Sequence, residues 1–413
     1  MKEIAIIGGG AAGLFFSVYL KEQLELNNIK DVTIVIYERL ERTGKKLLVT
    51  GNGRCNYSNI NLNKNKYNHP EFVNKIIKDF NVKNLIEYFK SLGLYSMTDK
   101  EGRVYPQSEM ANTVLDVLRT KLRIYGIEER CNTEVRKITN VGNKFIIETG
   151  RNVRNEADLV VLATGGKASQ IHGSNGTGYT ILKGLKHKIV DPKPGLVGIK
   201  TDEAQVKGLA GVRVKANVSL YDKKQKKTVW NEFGEVQFKL DGLSGIVVMQ
   251  LASFTQHNPA QYVVSLDLMP NVTWDDLFID IKQRIKDFGQ LENTMVLTGM
   301  FNKMINLAIL KKAKVDMSGY AKNITDREVT RIVDAIKEFK FDYKGNCDFD
   351  KAQVTVGGAD LTEFNDKTLE SKKVKNLYCL GELLDVDGEC GGYNLHWAFA
   401  SSVAAAKDII KKL

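Results

Sequence analysis

The chain reads as an α/β protein: a dinucleotide-binding Rossmann domain interrupted by a β-rich, barrel-like insertion and a small helical lobe. Three observations predict this. The first 38 residues run strand, glycine turn, helix, strand, acid. A second apolar run, Asp158 to Leu162, ends in Ala163-Thr164-Gly165-Gly166. Beyond Pro192 and Pro194 the periodicity changes to short alternating strands and Met-bearing helices before the apolar strand pattern returns near residue 353.

The opening segment is the most informative. Ile4-Ala5-Ile6-Ile7 leads into Gly8-Gly9-Gly10-Ala11-Ala12-Gly13 and a helical run from Leu14. Gly8, Gly10 and Gly13 fill the G-x-G-x-x-G places: a tight turn, close backbone approach to a pyrophosphate, and close packing of helix on strand. The helix start then favours phosphate charge. The next strand, Val32 to Tyr37, ends at Glu38, placed to accept hydrogen bonds from a ribose diol, with Arg39 beside it. That context separates the motif from an ordinary glycine-rich turn.

Composition narrows the class. The chain has 413 residues, enough for two or three domains, and a formal charge of +11. Its Lys and Arg are scattered rather than run together with aromatics, so nucleic acid is not an expected partner. Five cysteines include no C-x-x-C pair, which argues against a dithiol redox centre and a structural zinc site; no metal is expected. The first strand leaves no room for a signal peptide, and no run of about 18 apolar residues occurs, so the expectation is a cytoplasmic protein without a membrane span.

After Glu38 comes Gly44-Lys45-Lys46-Leu47-Leu48, then Gly51-Asn52-Gly53-Arg54-Cys55-Asn56. Gly51 and Gly53 permit backbone closed to other residues, and Lys45, Lys46 and Arg54 have the charge to neutralise phosphate; an ordinary surface turn is the competing reading. Helices are expected over 70–80, 82–92 and 111–125, a hairpin over 97–106, and strands over 131–138 and 144–148. In the middle, strands are expected over 212–221, 236–240 and 262–268, and helices over 246–256, 273–288, 299–312 and 327–338, with Thr273 and Thr325 as caps. Near the end, Asn376 to Glu382 reads as a strand closing on Gly381-Glu382, and Gly391-Gly392-Tyr393-Asn394-Leu395 opens the last helix.

Two of these segments together resemble a known family. Gly44-Lys45-Lys46-Leu47-Leu48 with Gly53-Arg54-Cys55-Asn56, and Gly381-Glu382 through Asp385-Val386-Asp387-Gly388 to Gly392-Tyr393-Asn394-Leu395, resemble the signatures of the HI0933-like (YhiN/BaiN-type) FAD-dependent oxidoreductases. Ala163-Thr164-Gly165-Gly166 resembles the ATGG motif of two-dinucleotide-fold flavoproteins. Departures are Thr177 for a usual Asp, Ile246 for Pro, Lys239-Leu240 for a Thr-His pair, Ala359 for Val, Cys390 for Thr and His396 for Gln. With only five histidines in the chain, a catalytic His on the insertion is not expected.

The resemblance implies non-covalent FAD in a Rossmann domain built from residues 1–192 and 353–413. A barrel-like insertion (193–270 and 318–352) and a helical lobe (271–317) would roof the flavin. Besides the fingerprint residues, Ala11, Ala12, Gly44, Gly53 and Cys55 would line the cofactor. Ala163, Thr164 and Gly165 would lie at the pyrophosphate, and Val135 at the adenine, although the residues alone read Val135 equally as core. Glu382 suits the ribityl hydroxyls. The amides of Tyr393, Asn394 and Leu395 suit the flavin N1–C2=O edge. Arg54, Asn56 and Tyr393 are candidates for the reacting face; hydride transfer at flavin N5 requires no acid–base pair of its own. The expected reaction is reduction of an α,β-unsaturated ketone, such as a 3-oxo-4-ene steroid, with NAD(P)H as transient donor. The alternatives are an oxidase of a small aminoketone and, in another class, a tRNA-binding flavoprotein. Cys55 and Cys390 are not expected to form a catalytic disulfide.

Because the sequence holds one convincing dinucleotide fingerprint, donor and substrate are expected to visit one flavin face in turn. Steady-state kinetics with both varied should therefore give parallel double-reciprocal lines; intersecting lines would require a second nucleotide site.

Overall fold

The computed structural model describes residues 2–150, 153–255 and 259–413. Contacts divide the chain into two compact units, one of residues 1–195 with 349–413, the other of residues 196–348.

In the first unit, β1 (Lys2–Ile7) leads through the glycine turn into α1 (Ala11–Leu26), and β2 (Val32–Tyr37) follows. With β3 (Glu128–Arg130), β4 (Leu159–Leu162) and β5 (Leu377–Cys379) they form a parallel sheet of order β5-β4-β1-β2-β3. Ile4, Ile6, Val160 and Val161 are fully buried, as in a parallel sheet covered on both faces. The closing helix α2 (Tyr393–Lys412) packs along α1. Small residues allow this: Ser402 Oγ donates to the Ala12 carbonyl at 3.1 Å, and Phe15 meets Phe399 with ring centres 4.7 Å apart. Phe15 also packs edge-on against Phe89 of the helix Val82–Ser91, which Asn81 caps.

Several elements differ from the sequence expectation for local reasons. The strand expected from Cys131 begins at Val135, because Asn132 takes a left-handed turn. Pro192 and Pro194 lie within the strand Ile189–Gly195, which pairs antiparallel with Val354–Ala359. The register breaks between Val190 and Lys193, the kind of irregularity where proline is tolerated. Thr177 opens the helix Thr177–Gly184, where its hydroxyl donates to Asn175 Oδ1.

The second unit holds a seven-stranded sheet whose central strands are Arg213–Asp222, Lys227–Phe238 and Tyr262–Asp267. Ala216, Val218 and Leu220 are buried and alternate with exposed or half-buried neighbours, so one face of this sheet covers a core. Helices Trp274–Asp287 and Asp326–Lys337 start at Thr273 and Thr325, the second with a full capping box. Lys337 fastens helix to sheet through Asp267 at 2.7 Å and the carbonyls of Met269 and Val272. The helix expected from Gly299 begins at Lys303, since Gly299 is left-handed and Asn302 caps Met304. The helix expected over 246–256 runs from Ile246 to Leu251 and tightens over Ala252–Phe254; its expected end and His257 lie outside the described residues.

His396, where the resemblance would have Gln, is wholly buried on α2. Its Nδ1 lies 2.9 Å from Ser58 Oγ and its Nε2 3.0 Å from the Phe80 carbonyl. Nε2 therefore carries the proton and donates, while Nδ1 accepts. Burial holds the imidazole down to about 4 against an ordinary 6.5. The unfolded ring binds a proton below about 6.5 while the folded ring does not, so stability falls as pH drops through that window. The change is worth ~3 kcal/mol by pH 4. His396→Gln should keep both hydrogen bonds and flatten this part of the stability–pH curve, measured by urea unfolding at pH 7 and pH 5. An unchanged slope would show that other groups carry the acid sensitivity.

Candidate functional site

The site begins at the turn between β1 and α1, where three glycines face three different surroundings. Gly8 has φ +107°, and a Cβ there would lie 2.5 Å from the Ala163 carbonyl oxygen. A Cβ on Gly13 would lie 2.0 Å from the Gly8 carbonyl oxygen, so α1 seats on its own turn. Gly10 has ordinary extended backbone, and a Cβ there would meet no protein atom within 4 Å. Backbone strain and protein packing therefore account for Gly8 and Gly13 but not for Gly10. A glycine facing open space at a helix start is what a phosphate-bearing ligand needs for close approach.

Glu38 stands at the end of β2, buried, its carboxylate accepting from the Gly9 amide at 3.0 Å and the Leu40 amide at 2.9 Å. Burial pushes its carboxyl above the usual range, against the pull of these amides. Arg39 donates to the Gly173 carbonyl at 3.3 Å. Thr43, buried beneath Gly9, holds the next loop: Arg119 donates to its carbonyl at 2.6 Å, and its hydroxyl donates to Glu129 at 2.7 Å. Gly44 follows with φ +78°, packed on Leu115. Val135 is buried in the core of this unit.

Lys45 pairs with Glu41 on the surface, whereas Lys46 reaches across to Glu382 at 2.7 Å. Two candidates more than three hundred positions apart in sequence thus meet. Glu382 also accepts from the Thr355 amide at 2.9 Å, and a carboxylate has capacity for further donors. Thr355 organises the neighbouring turn as well, its hydroxyl accepting from the amides of Lys167 and Ala168. The Ala163 amide is bound to the Ile7 carbonyl, which sets Ala163-Thr164-Gly165 beside the glycine turn. Gly381 lies against Ala12 and is held by Ser401 Oγ at 3.0 Å.

The segment Leu47–Asn56 is folded as tightly as its glycines suggest: Gly51, Asn52, Gly53 and Cys55 are all left-handed. This turns Asn56 inward. Asn56 is 91% buried, yet neither its amide oxygen nor its amide nitrogen has a partner. Buried polar atoms of this kind cost roughly 1–3 kcal/mol when left unmade, so the pair points to a ligand. Its oxygen would lie 2.5 Å from a Cβ on Gly392, which places it at the start of α2. No side chain caps that helix start. The Asn56 amide therefore lies beside the helix start that carries the backbone amides of Tyr393, Asn394 and Leu395.

The other candidates lie differently. Arg54 is half exposed, paired with Glu109 at 3.2 Å and stacked over Tyr105. Tyr393 is buried edge-on against Tyr67, with its hydroxyl toward the Asn61 carbonyl. Asn394 clasps Gly388 by both ends of its amide, donating at 2.7 Å and accepting at 2.9 Å. Cys55 is fully buried, and burial pushes its thiol up to about 12, so it stays protonated at neutral pH. Sequence reasoning missed Thr43, Arg119, Thr355 and Ser401; nothing in their local spacing marks them, because their roles depend on long-range contacts.

An FAD, as the sequence resemblance implies, fits this set. Open space at Gly10 matches a diphosphate, Glu38 a ribose, Glu382 a sugar alcohol, and the Asn56–α2 corner the polar edge of a flat ring. Among the described residues no group of His, Cys, Asp and Glu is arranged to hold a metal, and no helix is long and apolar enough to cross a membrane.

Gly10→Val should fold and purify without FAD, because its Cβ meets no protein atom within 4 Å and the side chain fills the space left for a ligand. The measurements are circular dichroism and the visible absorption of the purified protein; a fully flavinated variant would refute the assignment.

Comparison with known proteins gives the family. A family model described as the HI0933-like protein Rossmann domain matches residues 2–408. The chain is 32% identical over 98% of its length, and 98% of the relative's, to a 3-dehydro-bile acid delta(4,6)-reductase of Clostridium scindens. It is 26% identical to a ribosomal RNA dihydrouridine synthase of Haemophilus influenzae, over all of this chain and 99% of that one. Among solved structures, a 3-ketosteroid delta1-dehydrogenase of Sterolibacterium denitrificans aligns over the full length of both chains at 12% identity with a TM-score of 0.49. With the family model spanning nearly all of its residues, the chain belongs to the HI0933-like family, and its Rossmann domain is the unit that carries the candidate site.

Proposed function

We propose that this chain is an FAD-dependent reductase of carbon–carbon double bonds conjugated to a carbonyl, with a bile-acid-like or steroid enone as substrate and NAD(P)H as donor. The observation that carries this is the full-length likeness to a bile acid reductase. The orphaned Asn56 amide and the open space at Gly10 add support for the cofactor. FAD, when bound, supplies the hydride from N5.

The chain's own residues have distinct tasks in this reading. Glu38 holds the adenosine ribose, and the α1 amides hold the diphosphate. Glu382 orients the sugar alcohol, its charge balanced by Lys46. The uncapped start of α2 stabilises negative charge at the pyrimidine edge of the ring, and the Asn56 amide fixes that edge in register.

A second reading is favoured by the relative that forms dihydrouridine in ribosomal RNA. The double bond lost when uridine becomes dihydrouridine is also conjugated to a carbonyl, so the two relatives' products differ in scaffold more than in chemistry. The formal charge of +11 suits an RNA partner.

One anaerobic experiment separates these readings. The yellow protein is mixed with NADH or NADPH, then with androst-4-ene-3,17-dione or a uridine-containing ribosomal RNA fragment. The expected outcome is bleaching by a nicotinamide and return of the flavin absorbance with the enone. Return with RNA alone would favour the second reading. Failure of both nicotinamides to bleach would overturn the proposed donor.

A further inference from the structure

We propose that Asp387, supplied through the Asp385–His69 couple, takes up a solvent proton as the flavin is reduced and delivers it to the substrate carbon next to the carbonyl. This rests on the enone-reductase reading above. That reading supplies a hydride but leaves the accompanying proton without a source.

The position comes from the chain path. Asp387 lies between Glu382, the candidate for the sugar alcohol, and the start of α2, the candidate for the ring edge. A loop that would meet one cofactor at both ends would have little freedom to leave it. Its backbone is fixed from two sides. The Asn68 amide donates to the Asp387 carbonyl at 3.0 Å, and the Asp387 amide donates to Asn68 Oδ1 at 3.0 Å. On the other side Asn394 clasps Gly388. Within this frame, Asp387 Oδ1 is buried without a partner.

A path to solvent lies beside this loop, at the neighbouring carboxylate Asp385. Asn68 donates to Asp385 Oδ1 at 3.3 Å, and His69 Nε2 lies 3.2 Å from Asp385 Oδ2. The His69 ring is 44% exposed while Asp385 is buried, so the couple runs from water to the interior. The hydrogen bond to Asp385 holds the imidazole above its ordinary value, so it is a ready proton carrier near neutrality.

Charges around Asp387 suit a carboxyl that changes state. Burial, then the Asp385 carboxylate, push it up to about 6; His69 opposes and Glu382 adds to the rise. The Glu382 charge is itself offset by Lys46. Tyr67 and Tyr393, packed around Gly388, are kept un-ionised by burial, and Glu389 is paired with Lys66. Electrons arriving nearby raise the carboxyl further, which draws in one proton.

The balance closes. With the hydride that bound FAD would supply going to the β carbon, Asp387 would give its proton to the α carbon as the carbon–carbon π bond is lost. The carboxylate regains a proton from water through His69 and Asp385.

Potentiometry tests this without any substrate. Flavin-loaded protein is reduced stepwise against a reference dye from pH 5.5 to 8.5. Each linked proton adds tenfold per pH unit to a two-electron equilibrium, about 30 mV. Above about pH 6, wild type should show one such increment of slope more than Asp387→Asn, and Asp387→Glu should retain it. His69→Gln removes an opposing positive charge, so the break in slope should move to higher pH. Equal slopes in yellow wild-type and Asp387→Asn protein would overturn the proposal, and an unmoved break would overturn the His69 link. The predicted slopes with no enone reduction would overturn the substrate reading alone.

Discussion

Everything at this site depends on how closely α1 approaches the turn that precedes it. Gly13 leaves no room for a side chain over the Gly8 carbonyl, and Gly8 leaves none against Ala163. Those contacts bring β1, β4 and α1 to one point and aim the first helical amides at it. α2 then presses α1 into place through Ser402 and Phe399. A methyl group at Gly8 or Gly13 would separate sheet from helix, and the candidate phosphate corner would be lost with them.

The second organising constraint is polar. Glu382, Lys46 and Thr355 come from three distant segments and meet in hydrogen-bonding distance. Around them the protein spends most of its polar capacity internally: Asn394 on Gly388, Arg54 on Glu109, Lys45 on Glu41. Asn56 and Asp387 are exceptions, with buried polar atoms left unpaired. In this corner of the molecule the unsatisfied atoms single out Asn56 and Asp387 as candidates to meet a ligand.

Much of the fold was legible in the sequence. The boundaries of β2 and the helix caps at Thr273 and Thr325 follow from local periodicity and hydrogen-bonding chemistry. The tight packing at Gly13 was also legible, because it acts against the Gly8 carbonyl a few residues away, whereas the contact of Gly8 with Ala163 was not. What was not legible depends on distant partners. The proline-bearing strand Ile189–Gly195 gains its partner from Val354–Ala359, and no local pattern announces that pairing. The same holds for Thr355 beneath Glu382. His396 could be seen as a departure, but its neutral buried role needed Ser58 and Phe80 in view.

The first unit is assembled from both ends of the chain, with the second unit encoded between them. During synthesis, β1, β2 and β4 emerge long before β5 and α2, which complete one edge of their sheet and cover α1. The apolar faces of β4 and α1 must therefore wait, unprotected, while the intervening segment is translated. Domains generally fold as they emerge, and exposed strand edges invite aggregation. The sheet of the first unit is thus complete only once β5 has been made, and α1 is covered only once α2 has been made.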